Sequence, residues 1–134
     1  MAVSAHDRDA IIDVLNLHGH LMDDGALDEL DRLFTEDVVY DLEGLGGGQL
    51  LGIDAVRDAA LALGDRNPVA HHVSNIVLVP LGGRVVRARS KALGVNQDGT
   101  IGSVTYDDTL RLTESGWRIE HRRVTPRRRP LGEE

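Results

Sequence analysis

The chain has 134 residues, and 41% of them are hydrophobic, which is enough for one globular domain with a sizeable core. It has no cysteine, which excludes disulfides, thiolate nucleophiles and cysteine-ligated metals, and its net charge of −7 argues against general nucleic-acid binding. No apolar run reaches the roughly 20 residues of a membrane span, and the first residues lack a signal peptide. We therefore expect a single domain over residues 1–134, cytoplasmic and without membrane contact.

Three helices are predicted in the first half of the chain. The first begins at Ser4, a residue type that caps helices, and its apolar residues recur at helical spacing until Asp23. The second is short and ends with Phe34 on its apolar face. The third begins at Ile53, has a clear apolar stripe, and ends at Gly64.

A strand over 38–42 and a glycine-rich stretch at 44–48 separate the second and third helices. The glycine-rich stretch lacks the Gly-Lys-Ser/Thr ending of a phosphate loop, and no helix follows it at once, so a hairpin or lid is favoured. Four strands with glycine-containing turns between them are then predicted near 70–80, 84–95, 101–112 and 116–125. Helices first and strands last predict an α+β fold, in which helices cover a strongly curved, mainly antiparallel sheet and leave room for a small ligand.

The strand from Ala70 to Val79 is mostly apolar, yet it carries two histidines and an asparagine in its first half. Buried polar groups are costly unless they are paired, so these side chains need a partner or access to water. Strand geometry places His71 and Asn75 on one face and His72 on the other. Asp23, at the end of the first helix, is the candidate partner.

Several motifs, each weak alone, follow one another in an order that resembles SnoaL-like domains of the NTF2-like superfamily over roughly residues 5–128. These motifs are Leu21-Met22-Asp23-Asp24-Gly25, Leu33-Phe34-Thr35-Glu36-Asp37, Gly52-Ile53-Asp54-Ala55-Val56, His71-x-x-x-Asn75, Tyr106-Asp107-Asp108 and Gly116-Trp117-Arg118-Ile119. The resemblance implies a cone-shaped barrel with an apolar pocket. Members of the superfamily include dehydratases, a dehydrochlorinase, polyketide cyclases, ketosteroid isomerases, epoxide hydrolases and non-catalytic domains.

In the dehydratase and dehydrochlorinase members, an aspartate at the end of the first helix orients a histidine that removes a proton beside the leaving group. The matching residues here are Asp23 and His71, with Asp24 as the alternative if the register shifts by one. An imidazole with a reference pKa of roughly 6.5 can accept a proton near neutral pH, and a carboxylate on its other nitrogen fixes the tautomer. Asn75 is expected to point inward beside His71, and His72 to face outward.

Four further residues are candidates for substrate binding, and each has a structural alternative. Tyr40 matches a strand where related dehydratases use tyrosines to hold a carbonyl, but it could serve packing alone. His18 lies on the helix face that meets the sheet, as a pocket residue or a core histidine. Asp108 and Arg111 lie on one strand with opposite orientations, and an inward arginine would bind a substrate oxygen or halide, whereas surface placement is the alternative.

The sequence also departs from some members of the superfamily. It has no second strand histidine between His72 and His121, and Arg122 stands where many polyketide cyclases carry an acidic residue. Arg89 with Asp108 or Asp41 could imitate the network of the epoxide hydrolases, although nothing in the spacing demands it.

We therefore predict a small lyase or isomerase that needs no cofactor and no metal and uses Asp23 and His71 to abstract a proton from an apolar, cyclic substrate. The alternatives are a non-catalytic ligand-binding or structural domain and, after it, an epoxide hydrolase or polyketide cyclase. The resemblance implies a homodimer or homotrimer, formed through the outer sheet face near His72, Arg87 and Arg89. The expected ligand is small and apolar.

Overall fold

A computed structural model describes residues 2–132 as two α-helices, six strands and short 3₁₀ segments. The helices are α1 (Ala5–Asp23) and α2 (Ile53–Leu63). The strands are β1 (Phe34–Asp41), β2 (Gln49–Leu51), β3 (Ala70–Gly82), β4 (Val85–Val95), β5 (Ile101–Thr113) and β6 (Gly116–Pro126). They form one sheet in the order β2-β1-β6-β5-β4-β3, and β1 and β6 are the only parallel pair among the described strands. The predicted α+β class with a mainly antiparallel sheet is confirmed.

Helix α1 begins and ends where its sequence predicts. The Ser4 hydroxyl accepts a hydrogen bond from the backbone N–H of Asp7 at 3.1 Å, which satisfies one of the free amides of the first turn. One face of the helix is buried against the concave side of the sheet and includes Ile11, Leu15 and His18. The helix ends at Asp23, so that the carboxylate of Asp23 lies at the edge of the sheet it covers.

Three N-terminal α-helices were expected, and the prediction is wrong for the second of them. That segment is a 3₁₀ helix over Leu27–Arg32, and Phe34 begins β1 instead of ending a helix. The backbone explains the difference, because Leu33 accepts a hydrogen bond from the N–H of Ile119 at 2.8 Å and Phe34 pairs with Ile119 in β6. Sheet pairing thus starts before the point at which the apolar pattern changes from helical to extended.

The glycine-rich stretch forms the hairpin that the sequence favoured, and it returns into a short strand, β2, which the sequence did not predict. Strand β2 pairs antiparallel with the end of β1, so that Tyr40 lies opposite Leu50. The Leu42 N–H donates to the Gly48 carbonyl at 2.7 Å and closes the hairpin.

Strand β3 contains a bulge that reverses its alternation of inward and outward side chains. Ser74 pairs with Lys91 and Val77 pairs with Arg89, so β3 carries one residue more than β4 between these two pairs. The extra length is taken up near Asn75, which has a φ of +56°, a left-handed conformation that asparagine tolerates better than most residues. Beyond the bulge the odd-numbered residues of β3 point outward.

Candidate active site

The concave side of the sheet, α1 and α2 enclose a cavity of about 310 Å³, which we call the inner cavity. Most of its lining is aliphatic, and it comes from both helices and from all six strands. The polar side chains in the lining belong to Tyr40, Asn67, His71, Asn96 and Tyr106. A largely apolar cavity with a few polar groups is typical of a small-molecule site.

Asp23 and His71, which are 48 positions apart, meet at this cavity. One carboxylate oxygen of Asp23 lies 2.5 Å from Nδ1 of His71, and the other accepts the backbone N–H of His71 at 3.0 Å. The side chains are 22% and 17% exposed, respectively. Because a carboxylate can only accept, neutral His71 carries its proton on Nδ1, and Nε2 is left free to take a proton.

The neighbouring residues do not compete for these positions. Asp24 is the C-cap of α1, and its backbone N–H contacts the carbonyls of His20 and Met22. His72 is exposed, and it is not among the residues that line the inner cavity. The structure therefore pairs Asp23 with His71, as the register of the sequence motifs predicts.

Gly19 allows α1 to approach β3 closely enough for this pairing. A Cβ at Gly19 would lie 2.7 Å from the backbone oxygen of His71, closer than real Cβ atoms come. Glycine is therefore required here for space, because any side chain would push the helix away from the strand. Gly19 is one turn before Asp23 on the same helix, so the same close contact sets the distance between the carboxylate and the imidazole.

His18 lies behind His71 and does not line the inner cavity. Its ring is 5.7 Å from the ring of His71, 5.9 Å from that of Tyr106 and 6.3 Å from that of Phe34, each time nearly edge to face. It is 1% exposed, and neither ring nitrogen forms a hydrogen bond within residues 2–132. Burial holds the pKa of His18 well below its usual range, and the positive charge of Arg122 lowers it further.

The pH dependence of stability should reveal the low pKa of His18. Below about pH 6.5 the unfolded chain takes up a proton at His18 that the folded chain does not hold, so stability should fall on acidification by up to about 1.4 kcal/mol per pH unit. In His18→Leu this contribution disappears, and urea unfolding at several pH values should show a flatter profile than in the wild type. His20→Leu removes a histidine that is exposed on the same helix, and it is the control. Parallel profiles for the wild type and His18→Leu would contradict the prediction.

Asp108 does not line the inner cavity. It forms an ion pair with Arg122, a partner that the sequence did not suggest. The Arg122 Nε and Nη2 atoms donate to the two carboxylate oxygens of Asp108 at 2.7 and 2.9 Å, and both side chains are fully buried. Burial raises the pKa of Asp108, and Arg122 offsets this only in part. Burial would lower the pKa of Arg122, but the Asp108 charge outweighs it and keeps that pKa above its usual value. Asp108 and Arg122 together form a buried ion pair.

Tyr40 and Tyr106 separate this ion pair from the cavity. The guanidinium carbon of Arg122 lies 3.8 Å from the centre of the Tyr106 ring and 5.9 Å from that of Tyr40, which are cation–π distances. Both tyrosines line the cavity, as predicted for Tyr40. Burial raises the pKa of Tyr106, and a neutral phenol can donate a hydrogen bond to an oxygen in the cavity.

Two predicted substrate-binding residues lie elsewhere. Arg111 is exposed, and its Nε lies 3.3 Å from a carboxylate oxygen of Glu120. Asn75 is exposed and accepts a hydrogen bond from the hydroxyl of Ser74 at 2.8 Å, because the bulge in β3 interrupts the alternation on which the inward orientation depended. Neither residue lines the inner cavity.

The histidine, aspartate and glutamate side chains of residues 2–132 do not gather in any group of three or more that could hold a metal ion. None of the helices described is both long enough and apolar enough to cross a membrane.

The chain has the fold of NTF2-like proteins, which solved structures share. A candidate aromatic ring hydroxylase from Novosphingobium aromaticivorans is 26% identical with a TM-score of 0.78, over 96% of this chain and 94% of that one. A candidate scytalone dehydratase from the same organism is 20% identical with a TM-score of 0.77, over 95% and 94%. LinA is 19% identical with a TM-score of 0.77, over 89% and 84%. The last two similarities are too low in identity to show more than the fold.

Residues 3–123 match the SnoaL-like domain family, and the chain belongs to that family. No functionally curated protein matches it. The family fits the order of motifs in the sequence, and it does not by itself define an activity, because one fold hosts many chemistries.

Proposed function

We propose that this chain is a lyase or isomerase in which His71 removes a proton from a carbon atom of an apolar, cyclic substrate. The observation that carries the proposal is the Asp23–His71 pair at the wall of an otherwise largely aliphatic cavity. A histidine kept in one tautomer by a carboxylate is a competent general base near neutral pH. A candidate scytalone dehydratase has the same fold, so this fold can accommodate the proposed class of reaction.

In the proposed reaction, Nε2 of His71 takes the proton as the carbon–hydrogen bond breaks. The electron pair of that bond forms a carbon–carbon double bond, and a hydroxide or halide leaves from the adjacent carbon in a lyase reaction. In an isomerase reaction the proton returns to another carbon of the same substrate. Asp23 stabilises the imidazolium that forms, and the low polarity of the cavity strengthens this interaction.

Tyr40 and Tyr106, which line the inner cavity, would hold a substrate oxygen. Both lie against Arg122, whose positive charge favours electron density on a group that the phenols contact. Such an oxygen would make the adjacent carbon–hydrogen bond more acidic. We therefore favour substrates that carry a carbonyl or hydroxyl oxygen on the ring.

The epoxide hydrolase alternative requires an arginine in the inner cavity, and Arg89, its candidate, does not line that cavity. Arg89 is exposed on the outer face, 3.9 Å from a carboxylate oxygen of Asp107, and Asp108 is held by Arg122. The non-catalytic alternative has no observation that favours it over the proposed enzyme. The homodimer or homotrimer remains part of the proposal, with the outer face as its contact, where Val77 and Val79 are exposed on β3.

The proposal is tested by incubating the protein in deuterated water with a cyclic β-hydroxyketone, a cyclic β,γ-unsaturated ketone and a polychlorinated cyclohexane. We expect at least one of them to be converted or to incorporate deuterium at the acidic carbon. His71→Gln should stop the reaction, whereas His72→Gln, one residue away on the outer side, should not. If none of the compounds reacts, or if both variants react as the wild type does, the proposal is wrong.

A further inference from the structure

A second cavity, of about 560 Å³, adjoins the mouth of the inner cavity, and we call it the vestibule. The two share Asn67 and Asn96 in their linings. The remaining lining of the vestibule is polar and comes from Asp65, Arg66, Gln97, Asp98 and Thr100. A ligand that leaves the aliphatic inner cavity therefore passes two amide side chains and enters a polar space.

The amide group of Asn67 has a fixed orientation. Its Nδ2 donates two hydrogen bonds at 2.8 Å, to the carbonyl oxygens of Ala60 and Gly64 at the end of α2. Both amide protons are used, since Nδ2 carries only two. The oxygen Oδ1 is the free polar atom of this side chain, and within residues 2–132 it accepts no hydrogen bond.

The amide of Asn96 is oriented by a chain of donors. The hydroxyl of Thr100 donates to Asp98 at 2.7 Å, so its oxygen accepts from elsewhere. Nδ2 of Asn96 donates a hydrogen bond to this hydroxyl oxygen at 3.1 Å. The Oδ1 atom of Asn96 is thus, like that of Asn67, a hydrogen-bond acceptor at the mouth without a partner among the described residues.

The charges of the vestibule favour a donor rather than an anion as its occupant. Asp65 and Asp98 contribute two carboxylates, and Arg66 contributes the one cation of this lining. Together with the two free amide oxygens, these carboxylates supply hydrogen-bond acceptors at this end of the cavity, and the charged residues of the lining sum to −1.

We propose that the substrate carries a hydroxyl-bearing arm that extends from its apolar ring through the mouth into the vestibule, where Asn67 and Asn96 accept its hydrogen bonds. The inference rests on the proposed function, because it describes another part of the same substrate.

The test compares four probes that share a cyclohexyl ring and a four-carbon chain: cyclohexylbutanol, its methyl ether, cyclohexylbutyric acid and butylcyclohexane. Their affinities are measured by calorimetry or by chemical-shift titration. A neutral hydrogen bond contributes modestly, so the alcohol should bind about three- to tenfold more tightly than the ether, which accepts but cannot donate. The acid should bind more weakly than the alcohol.

The variant Asn96→Leu tests whether the amide of Asn96 binds the hydroxyl group of the arm. It removes one of the two free acceptors, so the advantage of the alcohol over the ether should shrink, while the affinity for butylcyclohexane is retained. Asn16→Leu makes the same substitution at an exposed position on α1 and should leave the advantage intact. Asn67 is unsuitable for this test, because its amide also holds the end of α2.

The outcomes separate this inference from the proposed function. Equal affinities for the alcohol and the ether, tighter binding of the acid, or an unchanged advantage in Asn96→Leu would each overturn the hydroxyl-bearing arm and leave the dyad untouched. Binding of none of the four probes would overturn both, since the inner cavity would then admit no ring. A preserved alcohol preference in His71→Gln supports the arm even if no turnover is found.

Discussion

Replacing Asp108 with alanine is expected to lower the free energy of unfolding by about 3–5 kcal/mol, the largest effect on stability that we predict. Arg122 is 0% exposed and has only this carboxylate as a charged partner within the described residues. Removal of Asp108 leaves a guanidinium without a counter-ion in the core, next to two tyrosine rings. The change is measured by urea unfolding of the variant and the wild type.

Two controls separate the cost of a buried charge from the loss of an ion pair as such. Glu29→Ala breaks the exposed contact with Arg32, and it should cost at most about 1 kcal/mol. The double variant Asp108→Leu with Arg122→Met removes both charges, and it should recover most of the stability lost in Asp108→Ala. If Asp108→Ala costs no more than Glu29→Ala, Arg122 finds another partner or reaches water, and the prediction fails.

The same ion pair shows what the sequence could not provide. Arg122 follows Glu120 and His121 in a strand and precedes four more arginines in the last residues, so it resembles a member of an exposed basic segment. A bulge between Thr109 and Leu110 shifts the register of β5 and β6. Whether Arg122 faces the core depends on that register, which is a property of the folded sheet.

By contrast, the pairing of Asp23 with His71 could be predicted from the sequence. Each residue ends or begins an element whose boundary has a local signal, namely the glycine after α1 and the proline before β3. A helix that covers the sheet then brings these two ends together. The exposed position of Asn75 could not be predicted in this way, because a single extra residue in β3 reverses the alternation, and no residue type demands a bulge there.

Replacing Asp23 with asparagine is expected to reduce kcat by about 10²–10⁴-fold, close to the loss expected for His71→Gln. The carboxylate accepts the Nδ1 proton of His71 at 2.5 Å and its backbone N–H at 3.0 Å. An asparagine that keeps its oxygen on the backbone N–H turns its amide protons toward Nδ1. The proton of His71 then moves to Nε2, which can no longer act as a base.

This shift of the tautomer can be observed before any substrate is known. The imidazole ¹⁵N signals of His71 should report a proton on Nδ1 in the wild type and on Nε2 in Asp23→Asn. Asp24→Asn is the matched control, since Asp24 caps α1 through its backbone and contacts no ring nitrogen in residues 2–132. It should leave both the tautomer and kcat unchanged.

A double-mutant cycle then tests whether the two residues act as one unit. Because Asp23 is proposed to act only through His71, Asp23→Asn combined with His71→Gln should be no slower than His71→Gln alone. Losses that multiply would mean that Asp23 contacts the substrate by itself. An Asp24→Asn variant as slow as Asp23→Asn would move the dyad by one residue, against the contact seen between Asp23 and His71.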